Sequence, residues 1–261
     1  MSTDLRTRAW MEVRADALRA NLRRMRDVVG PEAPLVPMVK ADAYGLGVDD
    51  AVRLFEAEGV HGFGVAAVDE GIHLRALGVA HPVLVLSPPP PAEIDAAVAA
   101  GLEVAASDLA TVQRLADAST RLGRTAACHV EIDTGMGRAG FDARTAPAWA
   151  GELREALGRV RWAGCFTHLH SADEDPESIR AQWALLQEAL AALRPPPDVL
   201  VHALNSAGAL RRPEYAAGGV RPGIFLYGGS VGAGTPPPEP VVSVHARVVY
   251  VRDAPVGTTV G

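Results

Sequence analysis

The chain has 261 residues, 48% of them hydrophobic, which is ample for a buried core and excludes wholesale disorder. A formal net charge of −6 argues against a nucleic-acid partner. The opening MSTDLRTRAW has no apolar stretch of signal-peptide length, and no run approaches the ~20 apolar residues of a membrane span, so a soluble cytoplasmic protein with no membrane partner is expected.

A short extended stretch, 10–13, leads into an amphipathic helix carrying Leu18, Leu22, Met25 and Val29 at helical spacing. Eight short apolar runs follow: 35–39, 63–67, 83–86, 102–105, 127–132, 162–167, 199–203 and 224–227. Most are almost continuously apolar, as strands buried on both faces are. Helix-period segments separate them. One follows Glu93 and stops at Gly101, and the longest, 176–193, repeats Ile179, Trp183, Leu186 and Leu190. Strand–helix alternation implies parallel strands joined by right-handed crossovers. The predicted fold is therefore an α/β (β/α)8 TIM barrel, with an open doubly wound sheet as the alternative. Cys128 and Cys165 fall inside apolar runs and read as buried thiols.

After the Pro/Gly-rich linker 229–240 the pattern changes. Residues 241–252 alternate apolar and polar, which predicts a half-exposed antiparallel strand. The expected division is a barrel over 1–235, including the N-terminal strand, and over 236–261 a linker and the start of an incomplete β domain. On this reading the chain looks truncated, because about 20 residues do not form an independent domain.

The basic residues carry a further signal. Of 25, 24 are arginine and one, Lys40, is lysine. A chain that uses arginine for plain positive charge and keeps one lysine suggests a need for an amine with a removable proton. Lys40 directly follows the first barrel strand, and barrel chemistry collects at the C-terminal ends of strands. Partial desolvation there lowers an amine's pKa, and a neutral amine forms Schiff bases. The competing reading is a lysine stem lying along the rim. Other polar residues collect at the same end: Asp133 to Arg138, His168 and His170, Asn205 and Ser206, and Arg221 to Gly223.

The segments VKADAYGLG, DTGMGRAG, HLHSADE, HALNSAGAL and RPGIFLYG, in that order, resemble the alanine racemase family. The resemblance runs from Trp10 to Gly261. It implies an N-terminal α/β barrel that binds pyridoxal 5′-phosphate (PLP), a C-terminal β domain, and a head-to-tail homodimer. Lys40 resembles the lysine that holds PLP covalently and moves a proton on one face of the substrate α-carbon. Tyr44 resembles a tyrosine near the cofactor phosphate. Asn205 stands beside Ser206, which with the backbone N–H groups of Gly223 and Ile224 resembles the phosphate cradle. Arg138 resembles the arginine that holds the substrate carboxylate, a group a guanidinium fits bidentately. Arg221 resembles the arginine facing the pyridine nitrogen, and His168 the histidine that buttresses Arg221. An arginine keeps its proton, so the pyridine nitrogen stays unprotonated and the ring is a weaker electron sink, which favours reprotonation over transamination.

Two departures matter. Where much of the family has a lysine whose carbamate anchors the arginine seven residues on, this chain has Glu131, a permanent carboxylate expected to accept a hydrogen bond from Arg138. The family's opposite-face base is a tyrosine of the C-terminal domain, and the sequence reaches Gly261 before it, so two-base racemisation is expected to be impaired. The reading is an amino-acid racemase, alanine racemase, supplying D-alanine for peptidoglycan from a small amino-acid substrate. Two alternatives stand beside it. One is a barrel-only PLP-binding protein of homeostasis without racemase activity. The other is a metal hydrolase built on His168 and His170, which lacks third and fourth ligands beyond Asp133, so no metal is expected.

Overall fold

The structure, a computed structural model, describes residues 8–259; the N-terminal segment inspected above for a leader lies largely outside them. The elements run β1 (Ala9–Val13), α1 (Ala15–Val29), a helical turn α2 (Lys40–Gly45), α3 (Val48–Ala57), β2 (Phe63–Val65), α4 (Val68–Ala76), β3 (Val83–Val85), α5 (Ile94–Ala99), β4 (Glu103–Ala106) and α6 (Leu109–Leu122). They continue with β5 (Ala127–Asp133), β6 (Phe141–Asp142), α7 (Ala146–Leu157), β7 (Arg161–Phe166), α8 (Pro176–Leu193), β8 (Leu200–His202), α9 (Ser206–Arg211) and β9 (Val242–Ala246).

Strands β2, β3, β4, β5, β7 and β8 pair in parallel in that order, with β6 attached to β5. They are mostly apolar on both faces, and β2, β3 and β4 are buried at every residue, as helices outside and packed side chains inside demand; buried Glu103, His129, Glu131 and His202 are the polar exceptions. Two further segments close the ring. Val39 N–H donates to the Gly64 carbonyl and Met38 N–H to that of Pro222. Val36 N–H donates to the Val220 carbonyl, and Arg221 N–H to that of Leu204. Segment 35–39 thus stands between β2 and segment 220–222, and the latter reaches back to the end of β8. The sheet is a closed TIM barrel.

The eighth barrel position is therefore 220–222 and not 224–227. The apolar run IFLY forms a tight turn, with Leu226 N–H on the Gly223 carbonyl and Tyr227 N–H on that of Ile224. Its apolarity has another cause: Phe225 and Leu226 are fully buried in the hydrophobic core, while Ile224 is 45% exposed. Helix α1 packs against α3 and α9 and buries Leu18, Leu22 and Met25, each worth about 1.5–3 kcal/mol of transfer free energy. Its buried Asn21 donates to the Leu226 carbonyl and accepts from Glu239 N–H, tying the linker to the barrel.

The strand expected over 241–252 is observed as β9, antiparallel to β1 from Val13↔Val242 to Ala9↔Ala246. The N-terminal strand thus shares a sheet with the segment after the linker. The ladder continues one step, Arg247 N–H to the Arg8 carbonyl, and residues 248–252, which the alternation also placed in the strand, form no regular structure. Both cysteines are buried free thiols. Among the described residues no helix is long and apolar enough to cross a membrane.

Candidate active site

The C-terminal ends of the barrel strands open into a cavity of about 460 Å³. Its lining includes Lys40, Tyr44, Arg138, His168 and Arg221, with Asn205, Ser206, Gly223 and Ile224 on the side where the ring closes. Nine of the ten residues singled out from the sequence therefore surround one space. Glu131 lies behind it.

Lys40 sits at the start of an unusual turn. Ala41, Asp42, Ala43 and Tyr44 all have φ between 51° and 59°, a left-handed helical turn. None of the four is glycine, so each pays a steric penalty that its surroundings must offset. Three contacts do so. The Glu70 carboxylate accepts from Ala41 N–H at 2.7 Å and also from Ala66 N–H (2.7 Å) and Ala67 N–H (3.2 Å), clamping the turn to the loop after β2. The Asp42 carboxylate accepts from Val48 N–H at 2.8 Å. The Tyr44 ring stacks on Tyr227 at 4.6 Å. The handedness turns Tyr44 back toward the cavity, where burial raises its phenol pKa. Lys40 itself is exposed at the mouth, so the partial desolvation expected for it is not seen.

Opposite, Asn205 caps α9 by accepting from Gly208 N–H (2.9 Å), and the Ser206 hydroxyl accepts from Gly223 N–H (2.9 Å). Position 223 has to be glycine: a Cβ there would lie 2.3 Å from the Tyr44 Oη. Backbone, phenol and hydroxyl converge on one spot with no room for a side chain between them.

The DTGMGR segment is held by its own aspartate. Asp133 accepts from Gly135 N–H (2.8 Å) and Gly137 N–H (3.1 Å), which turns the chain so that Arg138 reaches the cavity. Gly140, at φ +114°, passes so close to the Glu131 carbonyl that a Cβ would sit 2.9 Å from it. Arg138 and Glu131 are 3.8 Å apart, an ion pair and not the expected hydrogen bond. Instead the Ser107 hydroxyl donates to Glu131 at 2.5 Å. Burial raises the Glu131 pKa, opposed by that hydrogen bond and by the Arg138 and Arg221 charges.

Arg221 is buried, and its partner corrects the sequence reading. Its Nη1 donates to Nδ1 of His202 at 2.7 Å and to the His202 carbonyl at 2.9 Å, and its Nη2 donates to the Thr167 carbonyl at 2.8 Å. The buttress is His202, not His168. Burial lowers the Arg221 pKa to about 10, still far above neutrality. His168 lines the cavity as a neutral imidazole, its pKa lowered to about 3 by burial and by the nearby Arg221, Arg138 and Lys40 charges. His168 and His170 lie in the loop beyond β7, on no common strand face, and among the described residues no group of three His, Cys, Asp or Glu is placed to hold a metal.

Sequence reasoning also missed Gln182. From α8 its amide donates to Thr134 Oγ1 and to the His168 carbonyl, both at 3.0 Å, and accepts from His170 N–H. It fixes two cavity loops to one helix. A glutamine set among Ile179, Trp183 and Leu186 of the apolar repeat was its only trace in the sequence, and its burial shows only in the structure.

Residues 13–231 match the family described as alanine racemase, N-terminal domain. The chain is 33% identical over 258 residues to an alanine racemase of Syntrophobacter fumaroxidans, covering 97% of this chain and 68% of that one. It is 40% identical over 230 residues to one of Symbiobacterium thermophilum, covering 84% of this chain and 58% of that one. The solved alanine racemase of Clostridium difficile 630, in complex with cycloserine, superposes with a TM-score of 0.88 at 27% identity, covering 96% of this chain and 71% of that one. The chain thus spans about three fifths to two thirds of those two relatives' sequences.

Proposed function

The chain belongs to the alanine racemase family, and we propose that it binds PLP in the barrel mouth and interconverts L- and D-alanine, supplying D-alanine for peptidoglycan in the cytoplasm. The observation that carries this reading is the distribution of charge around one cavity. The chain's single lysine and the arginines Arg138 and Arg221 face it together, and a hydroxyl–backbone pair closes its far side. That donor set fits a small, multiply anionic ring compound. The fit is sharpened at Gly223, where the absent side chain leaves Ser206, Tyr44 and the backbone free to approach one phosphate-sized group.

In this reading Ser206, Tyr44 and the backbone of Gly223 and Ile224 hold the phosphate, Asn205 fixes the helix that carries Ser206, and Lys40 holds the cofactor covalently through Nζ. The cofactor, when bound, acidifies the substrate α-proton by accepting electron density.

The protein's own groups do the rest. Lys40 Nζ takes a proton from, or returns it to, one face of the α-carbon, as a positioned general base and acid. Arg138 grips the substrate carboxylate, and the buried Glu131 behind it limits how far that guanidinium can swing. Arg221 presents a guanidinium that stays charged at neutral pH to the ring nitrogen, and so withholds the proton that would make the ring a strong electron sink. Neutral His168 adds no positive charge to a mouth already holding three cations. A head-to-tail homodimer is part of the same proposal.

The test is α-carbon exchange. With added PLP in deuterium oxide, the chain should incorporate deuterium into alanine, and Lys40→Ala should lose that by about 10²–10⁴-fold. Exchange that survives in Lys40→Ala overturns the assignment.

A further inference from the structure

The hydrogen bonds of Arg221 do not end at His202. Nε2 of His202 lies 2.9 Å from Nδ1 of His129, and Nε2 of His129 lies 2.8 Å from Oε2 of Glu103. The other carboxylate oxygen of Glu103 accepts from Nη2 of Arg161. The row crosses the barrel interior from the cavity to the opposite end, on five different strand segments. His129, His202 and Arg221 are each under 5% exposed and Glu103 is 8% exposed, while the Arg161 side chain is 56% exposed.

The sequence makes room for this row deliberately. The β5–β7 register shifts between Cys128 and His129, which swings His129 inward. Opposite it stands Gly164, where a Cβ would lie 2.1 Å from His129 Nδ1. The Phe166 ring stacks on His202 at 5.3 Å and lies under the Arg221 guanidinium, so the imidazole cannot turn freely.

Elementary valence fixes every proton in the row. Arg221 can only donate, so His202 Nδ1 must be bare. A neutral imidazole then carries its proton on Nε2 and donates to His129 Nδ1. That nitrogen must also be bare, so His129 carries its proton on Nε2 and donates to Glu103. The Glu103 carboxylate can only accept, which ends the row without conflict. Reversing any one link sets two donors against each other.

We infer that Glu103 and His129 are positioning residues for Arg221: the carboxylate at the far end of the barrel sets the tautomer of both histidines and thereby keeps an acceptor, His202 Nδ1, under the guanidinium at the cavity. The inference rests on the proposal that Arg221 faces the cofactor ring. Burial alone pushes the Glu103 carboxyl up, but hydrogen bonds from His129 and Arg161 outweigh it and hold its pKa at about 2, so it is ionised throughout the physiological range.

Glu103→Gln separates this role from simple filling of space. The amide has one oxygen, and Arg161, which only donates, claims it. The NH2 group then faces His129, which must bare Nε2 and protonate Nδ1. His202 follows, and its Nδ1–H meets Arg221 head on. Removing the competing donor as well, in Glu103→Gln/Arg161→Ala, frees the amide to turn its oxygen to His129 and restores the order.

The experiment is long-range 1H–15N NMR of the histidine rings in the cofactor-free full chain, followed by PLP titration of the same samples. The wild type should show both His129 and His202 protonated on Nε2. Glu103→Gln should show both on Nδ1 and bind PLP about tenfold more weakly, the scale of one lost hydrogen bond to a charged group. The double variant should return both readouts toward wild type. An Nδ1-protonated ring in the wild type, unchanged tautomers in Glu103→Gln, or no return in the double variant overturns the inference. If Glu103→Gln does not fold, Arg161→Ala decides: retained Nε2 protonation supports the inference and its loss overturns it. Correct tautomers in a wild-type chain without PLP affinity would support the proton order and overturn the cofactor reading alone.

Discussion

Two cationic groups face the same cavity and are held in opposite ways. Lys40 is exposed, on a left-handed turn whose backbone is costly, and it is kept there by the Glu70 and Asp42 carboxylates on backbone N–H groups. Arg221 is buried on a barrel strand segment, and its guanidinium is held by three hydrogen bonds, to His202 Nδ1, the His202 carbonyl and the Thr167 carbonyl. The difference follows from the tasks proposed for them. A group that must form and release bonds to a ligand needs freedom at its tip and precision at its root. A group that must present a fixed charge needs none of that freedom, and burial keeps competing water away from it. The rim is strained and clamped; the interior is unstrained and locked.

The comparison can be broken in graded ways. Lys40→Ala should have the largest effect on chemistry and the smallest on stability, because the side chain is exposed. Acid should act almost wholly on the interior. His168 and His202 are held below the ordinary histidine pKa and Glu103 below the ordinary carboxylate value, so the unfolded chain binds more protons than the folded one as the pH falls. Their stabilisation is complete above about pH 6.5 and is lost as the pH falls from there, toward about 3 for His168 and in the same direction for His202, and from about 4.5 toward about 2 for Glu103. Glu131, with its raised pKa, contributes in the opposite direction. Denaturant unfolding across that range should show stability falling with pH, and a flat profile between pH 7 and 4 would contradict the locked interior.

Smaller effects separate the two regions by readout. His202→Leu deprives buried Arg221 of a side-chain acceptor and should cost about 1–3 kcal/mol of unfolding free energy, although His202 touches neither Lys40 nor its turn. Glu70→Gln keeps an acceptor oxygen but loses the charge that three N–H groups share. It should cost about 1 kcal/mol or less and instead slow the loading of PLP, because the Lys40 turn is less well held. If His202→Leu were neutral to stability and Glu70→Gln severely destabilising, the contrast between rim and interior would be reversed.

What the sequence disclosed divides along the same line. The rim was legible because its residues are anomalous where they stand: the sole lysine, a glycine-rich DTGMGR, polar residues directly after apolar strands. The interior was not. His202, His129 and Glu103 sit inside strands that read as core, and their meaning lies in partners 19, 73 and 26 residues away. The eighth strand was misplaced for a related reason. IFLY is the more apolar run, but 220–222 closes the ring, and Gly219 before it and Pro222 at its end disguise it as a turn. The left-handed turn had no signal at all, since Ala41 to Tyr44 contains no glycine.

The central claim is that Lys40 is the attachment point of PLP, and one measurement addresses it directly. The chain is incubated with PLP, reduced with borohydride, digested, and its peptides mapped by mass spectrometry. The account predicts a phosphopyridoxyl group on Lys40 of the peptide spanning VPMVKADAYG, and none anywhere on Lys40→Ala. Stoichiometric label at any other residue, or label retained by Lys40→Ala, would contradict it.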